Sequence, residues 1–229
     1  MLDELAHAGL EHLDASYVAG YDAKAGVDPA EEVRVLRRHG LEQDWTLVDV
    51  GAGTGEVAIA AARHCQRVVA VEVSPAMLAA ARHKGQQANA ANVEFVRAGF
   101  LTYQHQGAPA DAVYSRHALH QLPDFWKGLA LERIAAMLRP GGVLRLRDLV
   151  WCFDPAEARS CLDAWLAAAP DDPARGWTAE ELATHVRDEY STYSWLLEPM
   201  LERVGFDIVQ REHSSSRTFA AYVCVRRPG

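Results

Sequence analysis

Four ionisable side chains of the kinds that move protons or bind charged groups lie at two β-like runs of the sequence. His117 and His120 follow the run DAVYS, and the later run VLRLRDLV contains Arg147 and Asp148. Histidine is the side chain best suited to proton transfer near neutral pH. A charged residue in a buried strand needs a partner of opposite charge or a hydrogen-bond partner. For Arg147, this partner could be a carboxylate or phenol group of the substrate that accepts the transferred group. We therefore predict a catalytic site in which His117 is the base and Arg147 is the anchor, with His120 and Asp148 as further candidates.

Each of these assignments has a structural alternative. A buried histidine with a hydrogen-bond partner explains His120 equally well, and Arg147 and Asp148 could form an ion pair with each other. The spacing of His117 and His120 also suits metal ligands, but no third Cys, Asp or His with sensible spacing is evident. The sequence therefore predicts no metal.

Parallel strands are expected to position these side chains. Between residues 46 and 150, β-like runs alternate with helical segments, an order typical of parallel strands joined by right-handed crossovers. Ligands of such sheets bind beyond the carboxyl ends of the strands. Arg116, the two histidines, Arg147 and Asp148 should all lie at that edge.

A glycine-rich loop follows the first β-like run, TLVDV. Gly51, Gly53 and Gly55 have the spacing G-x-G-x-G, whereas a dinucleotide-binding loop has G-x-G-x-x-G. Glu56 places a carboxylate where a pyrophosphate would otherwise bind, so a ligand without phosphate fits better. Glu72 ends the next run, RVVAVE, where its carboxylate can accept hydrogen bonds from both hydroxyls of a ribose.

This pattern resembles that of the class I S-adenosylmethionine-dependent methyltransferases. The family's D-x-G-x-G-x-G loop corresponds to residues 49–55 and its ribose-binding acid to Glu72. The segments RHALHQLPDFW and LRPGGVL are similar to segments of small-molecule members of the ubiquinone and menaquinone type. The resemblance implies an enzyme that uses S-adenosylmethionine to methylate an oxygen, nitrogen or carbon atom of a small molecule. The cofactor-binding residues that it implies are Asp49, Gly51, Ala52, Gly53, Gly55, Glu72, Val73, Gly99, Phe100 and Ser115.

The chain departs from the family at two places. Many relatives have an Asp or Glu that binds the adenine amino group where this chain has Gly99, so backbone groups near Phe100 are expected to replace it. The acidic residues of metal-dependent catechol-type relatives are replaced by Ser115 and Arg116. A sulfonium leaving group needs no protonation, so alignment of the acceptor is expected to dominate catalysis. A base matters only where the acceptor must lose a proton.

The resemblance also implies the architecture. We expect an α/β fold with a seven-stranded, mostly parallel sheet in the order 3-2-1-4-5-7-6, an antiparallel last strand, and helices on both faces. A single domain over residues 1–229 would contain four parts. These are an N-terminal helix and lid (1–27), a cofactor-binding core (28–150), a helical and aromatic cap (151–205) and a closing β-hairpin (206–229).

Aromatic residues outside the core are expected to cover the site. At the N-terminus we expect a helix over residues 2–19, followed by a mobile loop that carries tyrosines and glycines. Aromatic side chains are also common in cores, so a structural role for them is about equally well supported. The candidates for the lid or for acceptor binding are Tyr17, Tyr21, Arg116, Tyr190, Tyr193 and Trp195.

Composition restricts the partners. A net charge of −8, without any Lys/Arg run, speaks against a nucleic-acid partner. The four cysteines are scattered, and no apolar run reaches the ~18 residues of a membrane-spanning helix. We expect a cytoplasmic protein without a membrane partner, and a homodimer is left open.

Two other functions remain open from the sequence. An NAD-dependent oxidoreductase would share the first strand, loop and helix and the acidic residue at the end of the second strand. A non-catalytic S-adenosylmethionine-binding module would share everything up to residue 150.

Overall fold

A mixed β-sheet forms the centre of the molecule. The structure is a computed structural model that describes residues 2–228, apart from the side chains of Leu10, Glu11, Ala15, Ser16 and Ala19. Its strands are β1 (Thr46–Val50), β2 (Arg67–Glu72), β3 (Val93–Arg97), β4 (Ala110–Arg116), β5 (Leu138–Trp151), β6 (Thr192–Tyr193), β7 (Phe206–His213) and β8 (Phe219–Arg226).

The predicted strand order is confirmed. The main path of the sheet is β3-β2-β1-β4-β5-β8-β7, and the two-residue β6 pairs with β5 outside this path. Strands β1 to β5 pair in parallel, whereas β8 is antiparallel to both β5 and β7. The hairpin of β7 and β8 was predicted because the connection between them is too short for a parallel crossover.

Eight α-helices accompany the sheet in the described part of the chain. Side chains cap three of them at the N-terminus: those of Asp28, Ser74 and Thr178 each accept a hydrogen bond from a backbone N–H of the first helical turn. The helices are α1 (Ala15–Ala25), α2 (Pro29–Arg38), α3 (Glu56–Ala61), α4 (Pro75–Gln87), α5 (Asp124–Met137), α6 (Ala158–Ala167), α7 (Ala179–Asp188) and α8 (Ser194–Arg203).

The N-terminal segment differs from the prediction. In place of one helix over residues 2–19, two short 3-10 turns, Leu5–His7 and Leu10–Leu13, precede α1. Between the turns Gly9 has a φ of 70°, which a continuous right-handed helix does not allow. Helix α1 occupies the stretch that was expected to be a mobile loop, and the glycine within it, Gly20, is exposed.

Hydrophobic layers cover both faces of the sheet. In β1, Val48 belongs to the layer that contains Leu131 of α5, and Leu47 belongs to the layer that contains Leu36 of α2. Neighbouring positions of one strand thus face opposite layers, which explains the continuous apolar runs of the central strands. Within residues 2–228, no helix combines the length and the apolar character needed to cross a membrane.

Candidate functional site

Glycines build the loop between β1 and α3. Gly51, Gly53 and Gly55 have φ values of 75°, 56° and 79°, in the left-handed region that favours glycine. A Cβ atom on Gly51 would lie 2.3 Å from the Cβ of Ala118. The Gly51 amide donates a hydrogen bond to the Val71 carbonyl (2.9 Å), so the loop is held against the end of β2.

The carboxylate of Glu72 is fixed beside this loop. Its two oxygens accept hydrogen bonds from the backbone amides of Gly53 and Ser74, both at 2.8 Å. Burial raises the pKa of this carboxyl, and the two amides oppose that effect. A carboxylate offers about four acceptor positions. Glu72 can therefore accept two further hydrogen bonds from a ligand.

The first cavity, which we call the glycine-loop cavity, lies at the carboxyl ends of β1, β2 and β4. It is lined by six of the predicted cofactor-binding residues: Gly51, Gly53, Glu72, Val73, Gly99 and Phe100. A smaller pocket next to it is lined by Asp49 and Ala52. Gly55 is the N-cap of α3. Ser115 is fully buried, lines neither space, and its hydroxyl has no hydrogen-bond partner among the described residues.

Asp49 and Arg116 both line the smaller pocket. Burial, followed by the negative charge of Glu72, raises the pKa of Asp49 to about 8. Arg116 lines the same pocket and donates a hydrogen bond to the carbonyl of Ala25 (3.1 Å). The Nε of Arg116 is buried and finds no hydrogen-bond partner within the part of the chain that the structure describes. The pocket thus offers a ligand two groups. One is the unused N–H at Nε of Arg116, and the other is the carboxyl group of Asp49, whose ionised form a bound cation would favour.

Glu4 fills the place that Gly99 leaves open. A Cβ atom on Gly99 would lie 2.2 Å from a carboxylate oxygen of Glu4, which lines the glycine-loop cavity. The carboxylate accepts hydrogen bonds from the Leu101 amide (3.0 Å) and the Thr102 hydroxyl (3.0 Å). Glu4 was not among the residues predicted from the sequence, because the contact spans almost one hundred residues and no local spacing signals it.

A second cavity, the cap cavity, has a volume of about 400 Å³ and lies under α1 and α7. Its size is typical of a small-molecule site. Among the described residues that line it, none is a lysine or an arginine. Its aromatic residues are Tyr17, Tyr21, Trp177 and Phe219, and its carboxylates are Glu180, Glu181 and Glu189.

His117 lies where the two cavities meet. It lines both of them, together with His12, Tyr21 and Gln121. Its φ of 50° is unusual for a residue other than glycine and is typical of functional sites. Burial, followed by the positive charge of Arg116, holds the pKa of His117 well below its usual value. The ring is therefore neutral at neutral pH, and its buried Nε2 has no hydrogen-bond partner from residues 2–228.

His120 belongs to a buried polar cluster behind the cap cavity. Its Nδ1 lies 2.5 Å from a carboxylate oxygen of Asp148, and its Nε2 lies 3.0 Å from Glu189. Burial alone lowers the pKa of His120, but these two carboxylates outweigh it and raise the pKa to about 9. Asp148 thus positions His120, and the alternative considered from the sequence, an ion pair between Arg147 and Asp148, is not observed, since each has another partner.

The cluster brings together three metal-ligand candidates, of which only His120 belongs to the pair His117 and His120 that was considered from the sequence. His120, His185 and Glu189 place one donor atom each within 4.8 Å of one another. His185 and Glu189 lie four residues apart at the end of α7, a spacing that was visible in the sequence. What the sequence did not show is that the cap brings them to His120.

Several other residues that were predicted for the site lie outside both cavities. Arg147 contacts Glu32 of α2 (3.3 Å), which also accepts a hydrogen bond from Arg145 (3.1 Å), and Arg147 lines neither cavity. Tyr193 and Trp195 stack on each other, with ring centroids 5.2 Å apart, and also line neither cavity.

Tyr190 is anchored rather than placed over the site. Its backbone N–H donates to the carbonyl of His120 (3.0 Å), and its carbonyl accepts a hydrogen bond from Lys127. Of the predicted lid residues, only Tyr17 and Tyr21 line the cap cavity.

Comparison with known proteins agrees with this geometry. Residues 47–142 match the family described as "Methyltransferase domain". The trans-aconitate 2-methyltransferase of Methylobacterium radiotolerans is 30% identical over 88% of this chain and 74% of its own length. An uncharacterized methyltransferase of Mycobacterium tuberculosis is 31% identical over 62% of this chain and 75% of its own.

Among solved structures, the magnesium protoporphyrin IX methyltransferase of Synechocystis PCC 6803, with bound S-adenosylmethionine, has a similar fold. The TM-score is 0.67 at 16% identity, over 99% of this chain and 98% of that one. The similarity confirms the predicted Rossmann-like sheet.

Proposed function

Because this chain belongs to the class I S-adenosylmethionine-dependent methyltransferase family, we propose that it binds S-adenosylmethionine in the glycine-loop cavity and methylates a small molecule in the cap cavity. The observation that carries the proposal is the wall that both cavities share, with His117 in it. When bound, S-adenosylmethionine supplies a methyl group that its sulfonium centre activates. The residues of this chain bind and align the two partners and exclude water.

The residues around the glycine loop fit the cofactor. The two remaining acceptor positions of Glu72 suit the two hydroxyls of a ribose. The unused Nε of Arg116 suits the carboxylate of the methionine part, and Asp49 suits its ammonium group. Each of these side chains is buried or half-buried, so its charge acts with little screening.

Glu4 suits the amino group of adenine. Its carboxylate lies where the side chain of an acidic residue at position 99 would begin. The N-terminal segment then supplies the group that other members carry after the third strand, and the backbone near Phe100 is not the only replacement.

The acceptor is proposed to be a small molecule with aromatic or apolar surface. Aromatic rings and histidines line the cap cavity, and its carboxylates give it negative charge. The sequence predicted that Arg147 would hold an anionic acceptor. Because Arg147 contacts Glu32 instead, it is not placed to hold an acceptor in the cap cavity. A quinone-type acceptor and a cytoplasmic location stay predictions from the sequence, which left open whether oxygen, nitrogen or carbon is methylated and whether the protein is a homodimer.

Calorimetry with S-adenosylhomocysteine and with NAD tests the proposed function. We expect saturable binding of S-adenosylhomocysteine and none of NAD. Because its pKa is raised to about 8, Asp49 is mostly protonated at pH 7. A bound ammonium group favours its ionised form, so binding should release on the order of half a proton or more. Repeating the titration in buffers with different heats of ionisation measures this number.

The same argument predicts the pH dependence of binding. Affinity for S-adenosylhomocysteine should rise between pH 6 and pH 9, as Asp49 loses its proton in the free protein. The near-isosteric Asp49→Asn should bind more weakly and with no proton release. A proton count that is the same in Asp49→Asn and in the natural protein would assign the proton to another group.

Glu4→Gln is expected to weaken S-adenosylhomocysteine binding by about 10-fold, the effect of one hydrogen bond to a charged group. Amide exchange of residues 2–13 should become faster, because the contacts with Leu101 and Thr102 weaken. The matched control is Asp3→Asn, which makes the same charge change in the same segment but does not line the cavity. Equal affinity in Glu4→Gln and Asp3→Asn would remove Glu4 from the adenine site.

A turnover screen over small-molecule acceptors completes the test. It uses the protein with saturating S-adenosylmethionine and measures the formation of S-adenosylhomocysteine. The variant Phe219→Trp, which fills the cap cavity, is then tested with each acceptor. Loss of turnover with unchanged cofactor affinity would place that acceptor in the cap cavity.

A further inference from the structure

Three metal-binding side chains converge at the wall of the cap cavity. The donor atoms are Nε2 of His120, Nδ1 of His185 and a carboxylate oxygen of Glu189, and all lie within 4.8 Å of one another. Around a tetrahedral Zn²⁺ ion, ligand atoms lie roughly 3 to 3.5 Å apart. The 3.0 Å between His120 and Glu189 is already close to that value.

The nitrogen of each imidazole that points away from the cluster is held by a hydrogen bond. Nδ1 of His120 contacts the Asp148 carboxylate, and Nε2 of His185 lies 2.8 Å from the Ser191 hydroxyl. Asp148 also accepts a hydrogen bond from the backbone amide of His120 (2.9 Å). Such outer partners fix the ring orientation and the tautomer of metal-binding histidines.

Nε2 of His120 is the nitrogen that faces the cluster. A carboxylate accepts and cannot donate, so a hydrogen lies on Nδ1, between His120 and Asp148. Nε2 lies 3.0 Å from Glu189 and 3.1 Å from the side-chain amide of Gln121, and a metal ion bound there would take the place of the proton between His120 and Glu189. The Glu189 oxygen Oε2 is buried close to both imidazoles, yet makes no hydrogen bond of acceptable geometry with any residue from 2 to 228.

The surroundings favour a cation. The cap cavity has three carboxylates and no lysine or arginine among the described residues that line it, and Lys24 is engaged with only one of them, Glu181. The rings of Trp151 and Trp165 lie 6.1 and 6.3 Å from that of His185 and limit access of water on that side. The opposite side of the cluster faces the cavity.

We propose that His120, His185 and Glu189 bind a divalent transition-metal ion of the Zn²⁺ type, with an open coordination position that faces the cap cavity. Two imidazoles and a carboxylate are the ligand set of known catalytic zinc sites, in which the fourth position takes water or substrate. The binding site follows from these residues alone. Its role, holding and polarising an oxygen or nitrogen of the acceptor, rests on the proposed function.

Equilibrium dialysis of the whole protein against Zn²⁺, followed by metal analysis, tests the site. We expect one equivalent of Zn²⁺ per chain, retained more tightly than by the remaining surface histidines. Bound Co²⁺ should give the strong visible absorption of a four- or five-coordinate ion. Spectra of a six-coordinate, largely hydrated Co²⁺ ion would overturn the proposal, whatever the behaviour of the variants.

Substitution identifies the ligands. Glu189→Gln, which preserves shape, should weaken Zn²⁺ binding by about 100-fold or more, and His185→Gln should do the same. The matched controls are Glu180→Gln, an exposed carboxylate of the same cavity, and His83→Gln, an exposed histidine on α4. Both should bind Zn²⁺ like the natural protein. Equal Zn²⁺ affinity in Glu189→Gln and Glu180→Gln would overturn the proposal.

Two further measurements separate the remaining explanations. S-adenosylhomocysteine affinity should be unchanged in Glu189→Gln, which shows that the variant is folded. Loss of S-adenosylhomocysteine binding by the natural protein would count against the proposed function and leave the metal site standing. Binding of tetramethylammonium to the natural protein, with no retained Zn²⁺, would assign the cavity to an organic cation and overturn the metal site.

Discussion

His117→Asn is expected to lower turnover by about 100-fold or more for any acceptor that must lose a proton. The neutral ring of His117 lies in the wall between the two cavities, and its Nε2 is available to accept a proton. Asparagine suits the φ of 50° at this position better than alanine does, so the backbone should be preserved. Affinity for S-adenosylhomocysteine should stay the same, and steady-state kinetics with an identified acceptor measure the loss.

The pH dependence of turnover should identify the same residue. Because burial and Arg116 hold the pKa of His117 well below its usual value, the ring stays unprotonated through the neutral range. Turnover that depends on it should therefore be constant from pH 8 to about pH 6.5 and fall only at lower pH. In His117→Asn this acidic fall should disappear.

Arg147→Ala provides the comparison, since the sequence predicted Arg147 as the acceptor anchor. Its contact with Glu32 predicts an unchanged Michaelis constant. A raised Michaelis constant in Arg147→Ala would instead support Arg147 as the residue that anchors the acceptor. If His117→Asn instead keeps full turnover and its pH profile, the base assignment is wrong and catalysis rests on alignment alone.

Glu72→Ala is expected to weaken S-adenosylhomocysteine binding by about 1.5 to 3 kcal/mol, or roughly 10- to 150-fold. The substitution removes the two acceptor positions that are proposed to bind the ribose hydroxyls. It also releases the amides of Gly53 and Ser74, so the glycine loop loses the contact that fixes it. Titration calorimetry measures the change.

Glu94→Gln is the matched control for Glu72. It removes an exposed carboxylate from β3, the strand next to β2, and Glu94 contacts Arg67 and lines neither the glycine-loop cavity nor the smaller pocket. We expect its affinity to stay within about twofold of that of the natural protein, as for most surface substitutions. Unchanged affinity in Glu72→Ala would contradict the cofactor site itself.

The core of the fold could be predicted because its signals are local. The strands β1 and β2 are contiguous apolar runs, the caps at Asp28 and Ser74 act within one helical turn, and the glycines of the loop are adjacent in sequence. Each pattern is complete within a dozen residues. Its energetic reason, whether burial, capping or backbone conformation, needs no knowledge of distant contacts.

The contents of the site were harder to predict because they depend on contacts between distant segments. Glu4 reaches Leu101, and His185 reaches the surroundings of His120, only once the N-terminal segment and the cap have folded onto the sheet. For Arg147, the error lay in its partner. Its position at the strand end was predicted, but its contact with Glu32 was not, because Glu32 lies on a helix that precedes the sheet in sequence.

The N-terminal segment also bears on how fast the protein can work repeatedly. Glu4, Ala8 and His12 form one wall of the glycine-loop cavity, and the hydroxyl of Ser74 donates a hydrogen bond to the His12 carbonyl (2.6 Å). Under the proposed function, exchange of the spent cofactor for a new one is coupled to breaking these few contacts. Such motions are often slower than the chemical step. The residence time of the product would then depend on contacts made by residues that take no part in the reaction, and so would the interval between successive turnovers.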